Sequence, residues 1–351
     1  MKNLLIIGLT PPMEGGSQQH ILEIVKNLDQ KFFNVTVVTQ KGTLCSKYSH
    51  CIELDLENGG GYRQSFEFYK KVKNIISSFG KYNIIHLHEN YLSLLIPLIK
   101  RHSRAKILLT VHGLKGFRYF DNKLIWAFFK KRMKQADRLI AVSKPDEQIL
   151  RKNFPNLKIV QIPNGVDTSI YKSSKKIEKR ITFIGRIHEQ KGLIYLLEAF
   201  DNASKKYPDF RLEIIGKENE YSELLKKRFP NPKIVYKGYQ NDRKKIASLL
   251  SSSYALALPS LWEGSPLTLF ESLASGRPVI ASDIPAFKDI LTDEKDGILV
   301  PAKDSNELAE NIIYLIKNKS LASKIGNAGK KLAMEYDWKQ ISKRTEKVYL
   351  Q

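Results

Sequence analysis

Cysteine is scarce: only Cys45 and Cys51 occur in 351 residues. That scarcity rules against a disulfide-built framework. It fits a reduced cytosol, where a disulfide between the two would be unusual. Long hydrophobic runs are also missing. No segment approaches the roughly 20 apolar residues needed to cross a bilayer, which implies a soluble or peripheral chain. The apolar run Leu4–Leu9 is too short for a signal-peptide core with its cleavage site and reads as a first β-strand. Internal repeats and low-complexity tracts are absent. Acid is in short supply, with 36 Asp+Glu against 58 Lys+Arg and a net charge of +22. Such an excess attracts phosphate, whether on a nucleotide, a nucleic acid or an anionic lipid, and says nothing about fold. Helix-turn-helix, zinc and RNA-recognition signatures are lacking, which weighs against a specific nucleic-acid partner.

What is present suits two globular domains. The chain is long for one ordinary domain and comfortable for two, and 42% hydrophobic residues suffice for two cores. Short β-rich runs at Leu4–Leu9, Val35–Thr39, Ile84–Leu87, Ile107–Val111 and Leu139–Val142 look like strands buried on both faces of a parallel sheet. Gln18–Leu28 and Ser65–Phe79 carry helical apolar spacing between them. A second series follows the turn Pro163-Asn164-Gly165 and the Lys-rich stretch Tyr171–Arg180. Its strands are Ile181–Ile184, Leu212–Ile215, Ile234–Val235, Ala255–Leu258, Pro278–Ala281 and Ile298–Val300. Helices are predicted at Leu193–Ala203, Ser222–Phe229, Lys244–Ser251, Leu267–Ser275 and Asn306–Lys317. Alternating strands and helices indicate α/β architecture, two doubly wound Rossmann-like parallel-sheet domains. Ligands of such sheets bind beyond the carboxyl ends of the strands, so two facing domains are expected to share one cleft.

Three stretches carry chemistry. After the first strand come Thr10-Pro11-Pro12-Met13-Glu14-Gly15-Gly16-Ser17 and then a helix. Paired glycines before a helix N-terminus let backbone amides approach an anion or a sugar, although an ordinary strand-to-helix turn has the same look. Strand Ile181–Ile184 runs into Gly185-Arg186-Ile187-His188-Glu189-Gln190-Lys191-Gly192, where two cations flank a turn at a helix start and can hold a diphosphate. The third stretch is Pro259-Ser260-Leu261-Trp262-Glu263-Gly264-Ser265-Pro266-Leu267-Thr268-Leu269-Phe270-Glu271. Glu271 lies among apolar residues of a buried helix, and a buried carboxylate needs partners. Two carboxylates eight residues apart, with amides between them, suit a polyol: the acids accept from ribose and sugar hydroxyls while the amides face phosphate.

Gly-Arg-x4-Lys-Gly followed by Glu-x7-Glu resembles glycosyltransferase family 4, the retaining enzymes of GT-B fold. Pro163-Asn164-Gly165-Val166-Asp167, the Gly15-Gly16 loop and the strand end Thr110-Val111-His112-Gly113 match that family's pattern in order and spacing. The resemblance covers nearly the whole chain. It implies an acceptor-side domain at 1–170, a nucleotide-sugar domain at 171–336, and a C-terminal helix, 337–351, crossing back to the first domain. By the resemblance, Arg186 and Lys191 bind the donor diphosphate, Glu271 the ribose, and Glu263 and His112 lie at the donor sugar. Ser265, Pro266, Leu267 and Thr268 offer backbone to sugar and phosphate, and Gly15 and Gly16 close on the phosphate. Gly216 and Gly238 lie beside nucleotide and base. One departure is that Gly216-Lys217-Glu218-Asn219 lacks the second glycine and proline usual in the family, which leaves base identity open.

The expected function is therefore a retaining hexosyltransferase. It would move a sugar from a nucleotide-diphosphate sugar to a glycan or lipid-linked acceptor in cell-surface polysaccharide or glycoconjugate biosynthesis. No carboxylate is evidently placed as a nucleophile. No cofactor and no metal are expected, because Arg186, Lys191 and helix dipoles can neutralise the leaving diphosphate. His86 and His88 share one face of a strand, as metal ligands could, but with no third ligand nearby a structural role is favoured. Two other readings stay open: a sugar-nucleotide 2-epimerase of the same two-domain form, and a non-enzymatic binder of nucleic acid or anionic surfaces. Residues 101–150 hold 12 Lys+Arg and 4 Asp+Glu, whereas residues 251–300 hold 3 and 7. Within the basic segment, Lys115–Gln135 interleaves aromatics with cations. It reads either as an interfacial membrane element or as a core-facing helix with a solvated side. The expected location is cytoplasmic, with a peripheral position on the inner face of the cell membrane under the first of those readings.

Overall fold

The computed structural model describes residues 1–9, 16–42, 44–56, 62–114, 122–172, 174 and 176–351. They form two compact units. Unit 1 is Met1–Asn164 with Trp338–Gln351, and unit 2 is Gly165–Asp337.

Unit 1 is built on β1 (Lys2–Ile7), β2 (Phe33–Gln40), β3 (His50–Leu54), β4 (Ile84–His88), β5 (Lys106–Val111), β6 (Arg138–Ala141) and β7 (Ile159–Gln161). All pairings are parallel, in the order β3-β2-β1-β4-β5-β6-β7. Alternation of side chains across a strand feeds both faces. On one face Leu5, Ile7, Ile85, Leu87, Ile107 and Leu109 pack with helix residues such as Phe68, Val72, Ile99, Met133 and Leu150. On the other, His86 bonds Thr110 through one ring nitrogen and Tyr349 of the helix Trp338–Leu350 through the other. That last helix belongs to unit 1, and its Trp338 packs edge-on against His20 of the helix Gly16–Asn27, with ring centroids 5.5 Å apart.

Unit 2 repeats the plan with β8 (Arg180–Ile184), β9 (Arg211–Ile215), β10 (Ile234–Tyr236), β11 (Ala255–Leu258), β12 (Val279–Ser282) and β13 (Ile298–Val300). The order is β10-β9-β8-β11-β12-β13, again parallel throughout. Ile181, Phe183, Leu212, Ile214 and Ile280 pack under the helices Leu193–Lys206 and Ser305–Lys317. Ile184, Leu256, Leu258 and Ala281 pack under Arg243–Ser252 and Leu267–Ala274. The two chain crossings lie side by side within unit 2: Val166 N donates to Tyr336 O at 2.9 Å and Thr168 N to Asp337 Oδ2 at 3.1 Å.

The strands and helices read from periodicity are present. The structure adds β3 and β7 and the helices Ile96–His102, Lys144–Asn153 and Lys319–Glu335. It also corrects one reading, since Cys51 is disulfide-bonded rather than a free thiol. Among the described residues, no helix is long and apolar enough to cross a membrane.

Candidate functional site

In each unit the strand order reverses beside the first strand, between β1 and β4 in unit 1 and between β8 and β11 in unit 2. Ligand crevices of open α/β sheets form beyond the carboxyl ends at such points.

In unit 2 the loops leaving β8 and β11 are locked together. Gln190 O accepts from Leu261 N at 2.8 Å, and Gln190 Nε2 donates to Trp262 O at 3.0 Å. Gly192 sits left-handed at φ 62, and a Cβ there would stand 2.0 Å from Pro259 O. Only glycine fits so close a backbone approach. His188 caps the intervening turn through Nδ1, which accepts from Gln190 N at 3.2 Å. The lock brings Lys191 to Glu263: Nζ is 2.6 Å from Oε1, an oxygen that also accepts from Ser260 Oγ at 2.7 Å. An ammonium has three donors, so Lys191 held in this way still has protons to offer an anion. Arg186 stands exposed on the same loop.

The β11 loop then enters the helix Leu267–Ala274, whose N-cap Pro266 supplies no side-chain cap and whose first turn has no acid. Its uncapped amides carry the positive end of the helix dipole. Ser265, Leu267 and Thr268 are half-buried at this end. Glu271, one turn further, is buried. Burial pushes its carboxyl above the usual range, and Arg243, whose Nη1 is 3.1 Å from Oε1, opposes that shift. Gly216 ends β9, where a Cβ would lie 2.2 Å from Gly185 O. Its amide donates to Gly238 O at 3.0 Å, which joins the ends of β9 and β10.

The carboxyl edge of unit 1 is lined by histidines. His88 Nδ1 is 3.2 Å from His112 Nε2, and the rings of His20 and His112 meet edge to face at 5.2 Å. His20 Nδ1 donates to Asn164 Oδ1 at 2.7 Å, and His86 bonds Tyr349 and Thr110, each at 2.7 Å. Desolvation lowers the imidazole of His20 to about 4 and that of His86 to about 3; His88 and His112 are also held well below 6.5. Four uncharged rings result. Beside them, Glu89 has φ 92 at the end of β4, an uncommon backbone for a non-glycine residue. Burial raises its carboxyl, opposed by a hydrogen bond from Ser17. A carboxyl held towards neutrality can donate to or accept from a sugar hydroxyl. Among the described residues, no group of three or more His, Cys, Asp or Glu is arranged to hold a metal ion.

Of the residues singled out from sequence, Arg186, Lys191, Gly216, Gly238, Glu263, Ser265, Pro266, Leu267, Thr268 and Glu271 belong to unit 2, and Gly16 and His112 to unit 1. Gly15 lies outside the described residues. Sequence reasoning missed Ser260, Gln190, Arg243, His20 and Glu89. Ser260 and Gln190 stand inside quoted motifs, whereas nothing local marks Arg243. Of the aromatic-basic stretch, 115–121 lies outside the described residues. The helix Lys123–Met133 divides its apolar side chains: Trp126 packs on the core, while Leu124 is 82% and Phe128 47% exposed, with the Arg132 guanidinium 3.3 Å over the Phe128 ring.

Residues 14–170 match the family described as Glycosyltransferase Family 4, and residues 168–332 the family described as Glycosyl transferases group 1. An uncharacterized glycosyltransferase of Methanocaldococcus jannaschii is 27% identical over 96% of this chain and 95% of its own length. A phosphatidyl-myo-inositol mannosyltransferase of Mycobacterium leprae is 26% identical over 95% and 92%. A UDP-Gal:alpha-D-GlcNAc-diphosphoundecaprenol alpha-1,3-galactosyltransferase of Escherichia coli is 28% identical over 81% and 80%. Among solved structures, sucrose-phosphate synthase of Thermosynechococcus elongatus superposes with a TM-score of 0.84 at 19% identity, covering 99% of this chain and 98% of that one. An Anabaena protein in complex with UDP and glucose gives 0.81 at 15%, covering 99% of each.

Proposed function

The chain belongs to glycosyltransferase family 4 and has the GT-B fold, and we propose that it is a retaining hexosyltransferase whose donor is a nucleotide-diphosphate sugar. The observation that carries this reading is the Lys191–Glu263 pair, fixed where the β8 and β11 loops interlock beside an uncapped helix. A diphosphate there meets Lys191, Arg186 and the backbone N–H groups of Ser265, Leu267 and Thr268, with Pro266 shaping the turn. Glu271, its charge eased by Arg243, accepts from ribose hydroxyls, and Glu263 from the sugar. Gly238, with open space around it, leaves room for nucleoside, and Gly216 holds the ends of β8 and β9 close together. Unit 1 is the acceptor domain in this reading, with His112 a neutral ring at its carboxyl edge.

In the proposed step the bond from the anomeric carbon to the diphosphate oxygen breaks, and a bond to the acceptor oxygen forms on the same face. The acceptor's proton passes to the departing phosphate. Arg186 and Lys191 stabilise the charge that grows there, so no metal is required. The acceptor is a glycan or a lipid-linked sugar in cell-surface polysaccharide or glycoconjugate synthesis. Relatives named for phosphatidylinositol and diphosphoundecaprenol acceptors support a lipid-linked one. The exposed Leu124 and Phe128 beside Lys131 and Arg132 support a peripheral seat on the cytoplasmic face of an anionic membrane, where each cation contributes about 1 kcal/mol.

A thermal-shift panel of nucleotide sugars tests the donor, because the true donor alone stabilises the chain strongly. Nucleotide release that needs no acceptor would overturn transfer in favour of hydrolysis or epimerisation. Sedimentation with vesicles tests the membrane seat. Binding is expected to need anionic lipid, to fall with salt, and to drop when Lys130, Lys131, Arg132 and Lys134 become Ser; indifference to all vesicles at low salt would remove it.

A further inference from the structure

At the amino-terminal edge of the first sheet, opposite the histidines, cations stand at successive strand starts. Lys106 opens β5, Arg138 opens β6, and Lys158 directly precedes β7. Neighbouring strands about 4.8 Å apart set them in a row. With Arg104 they line an open pocket of about 590 Å³, whose lining among the described residues also includes Asp137 and the final residue, Gln351. Asp137 is already engaged, accepting from Ile107 N at 2.7 Å and lying 3.9 Å from Lys100 Nζ. Arg138 is buried, at 6% exposure; its Nη1 donates to Gln351 Oε1 at 2.8 Å, while its Nε has no partner. The Lys106 ammonium is held below its usual range by desolvation first, and then by the charges of Arg138, Lys2 and Lys158.

The second sheet is an internal control. Its strands also open on arginines, Arg180 on β8 and Arg211 on β9, but there the protein supplies the anions. Arg180 Nη1 lies 3.0 Å from Glu213 Oε2 and 3.2 Å from Glu178 Oε2; Arg211 Nε lies 2.9 Å from Glu213 Oε1 and also pairs with Glu178. Unit 1 builds the same edge with a pocket in place of those carboxylates. Crowded cations around an open pocket are stable company for an anion that brings several acceptor oxygens.

We propose that this pocket binds a phosphate group, as a small free phosphate ester or diphosphate or as a lipid headgroup. The site lies on the other edge of the unit 1 sheet from His112 and is independent of the donor reading.

The test uses the full chain with Arg186 and Lys191 changed to Ser, which removes the cationic phosphate contacts of the donor site. Titration with inorganic pyrophosphate is expected to show one saturable site by calorimetry. Arg138→Gln is expected to weaken it tenfold or more. The double change Lys106→Gln and Lys158→Gln, outside the buried core, is expected to weaken it comparably with an unaltered circular dichroism spectrum. Phosphatidylcholine vesicles with and without phosphatidic acid separate the sources. Retention that needs phosphatidic acid, is displaced by pyrophosphate and is lost in the double variant identifies a headgroup; pyrophosphate binding with vesicles ignored identifies a free phosphate. Absence of both kinds of binding, or binding undiminished in the double variant, overturns the proposal.

Discussion

The carboxyl edges of the two sheets occupy equivalent places in one strand order, yet they differ in kind. In unit 2 that edge is charged: Lys191 is held by Glu263, and Arg243 by Glu271. In unit 1 it is a set of desolvated, uncharged imidazoles beside the buried carboxyl of Glu89. At the amino-terminal edges the contrast reverses, with arginines matched by carboxylates in unit 2 and cations left facing a pocket in unit 1. The backbone plan sets where a site can stand, and a handful of side chains at the strand ends sets what it handles. Charge suits a departing diphosphate, while neutral rings suit a surface for hydroxyl groups.

The contrast can be broken most severely at the loop lock. Gly192→Ala is expected to cost unit 2 about 3 kcal/mol or more, from left-handed strain plus overlap with Pro259 O. Gly238→Ala, at φ 68 with open space around it, should cost about 1 kcal/mol. Urea unfolding followed at Trp262 measures both, and equal losses would show that the loops do not interlock. Next in size, Lys191→Ala should lower turnover about 100-fold with stability largely kept, because in the proposed step its charge acts where the diphosphate departs. A wild-type rate would remove Lys191 from the site.

Acid sharpens the comparison because the unit 1 histidines respond with opposite sign to the unit 2 carboxyls, with Glu89 of unit 1 offsetting part of the histidine effect. The folded-state imidazoles of His20 and His86 lie below 6.5, so the unfolded chain binds protons first as pH falls. Each costs unit 1 about 1.4 kcal/mol per pH unit below 6.5, down to about 4 for His20 and about 3 for His86. Glu271 and Asp296 are raised by desolvation, so their burial weighs on unit 2 at neutral pH and is relieved as pH falls through their folded values. Between pH 7 and pH 5, the urea midpoint read at Trp126 and Trp338 should drop more than that read at Trp262; parallel shifts would contradict the assignment. Smaller still, Glu271→Ala should weaken donor affinity about tenfold, measured by calorimetry, with loss of the bonds to ribose. Last, EDTA should change the rate less than about twofold, since in the proposed reading the chain's own cations meet the diphosphate. Loss of activity restored by Mg²⁺ or Mn²⁺ would transfer that role to a metal.

Much of this was legible beforehand. Runs such as Leu4–Ile7 and Ala255–Leu258 are apolar because both faces of their strands are covered, and that signal is local. The edge strand β3 has no such run; His50 and Glu53 are exposed and Cys51 and Ile52 only half-buried. The helix Lys319–Glu335 escaped notice because Gly326 and Gly329 dilute its periodicity, though both pack against backbone, near Gly276 and Asp296 respectively. At the candidate site the motif residues stood out by spacing, but their partners did not. Arg243 reaches Glu271 from another helix, Asn164 reaches His20 across 144 residues, and Tyr349 reaches His86 across 263. Periodicity sees neighbours along the chain, and these contacts exist only once the sheets are wound.

The docking of the final helix in unit 1 bears on the order in which the protein can mature on the ribosome. Unit 2 is one unbroken stretch, Gly165–Asp337, and has every strand of its sheet once residue 337 has emerged. Unit 1 is begun first and finished last: Trp338, Val348 and Tyr349 are buried parts of its core. Throughout synthesis of unit 2 the nascent first sheet leaves His86 without Tyr349 and His20 without Trp338. An exposed half-core of this kind is what chaperones hold. A chain stalled or cut just before Trp338 would carry a finished second unit tethered to a first unit that cannot close its interior.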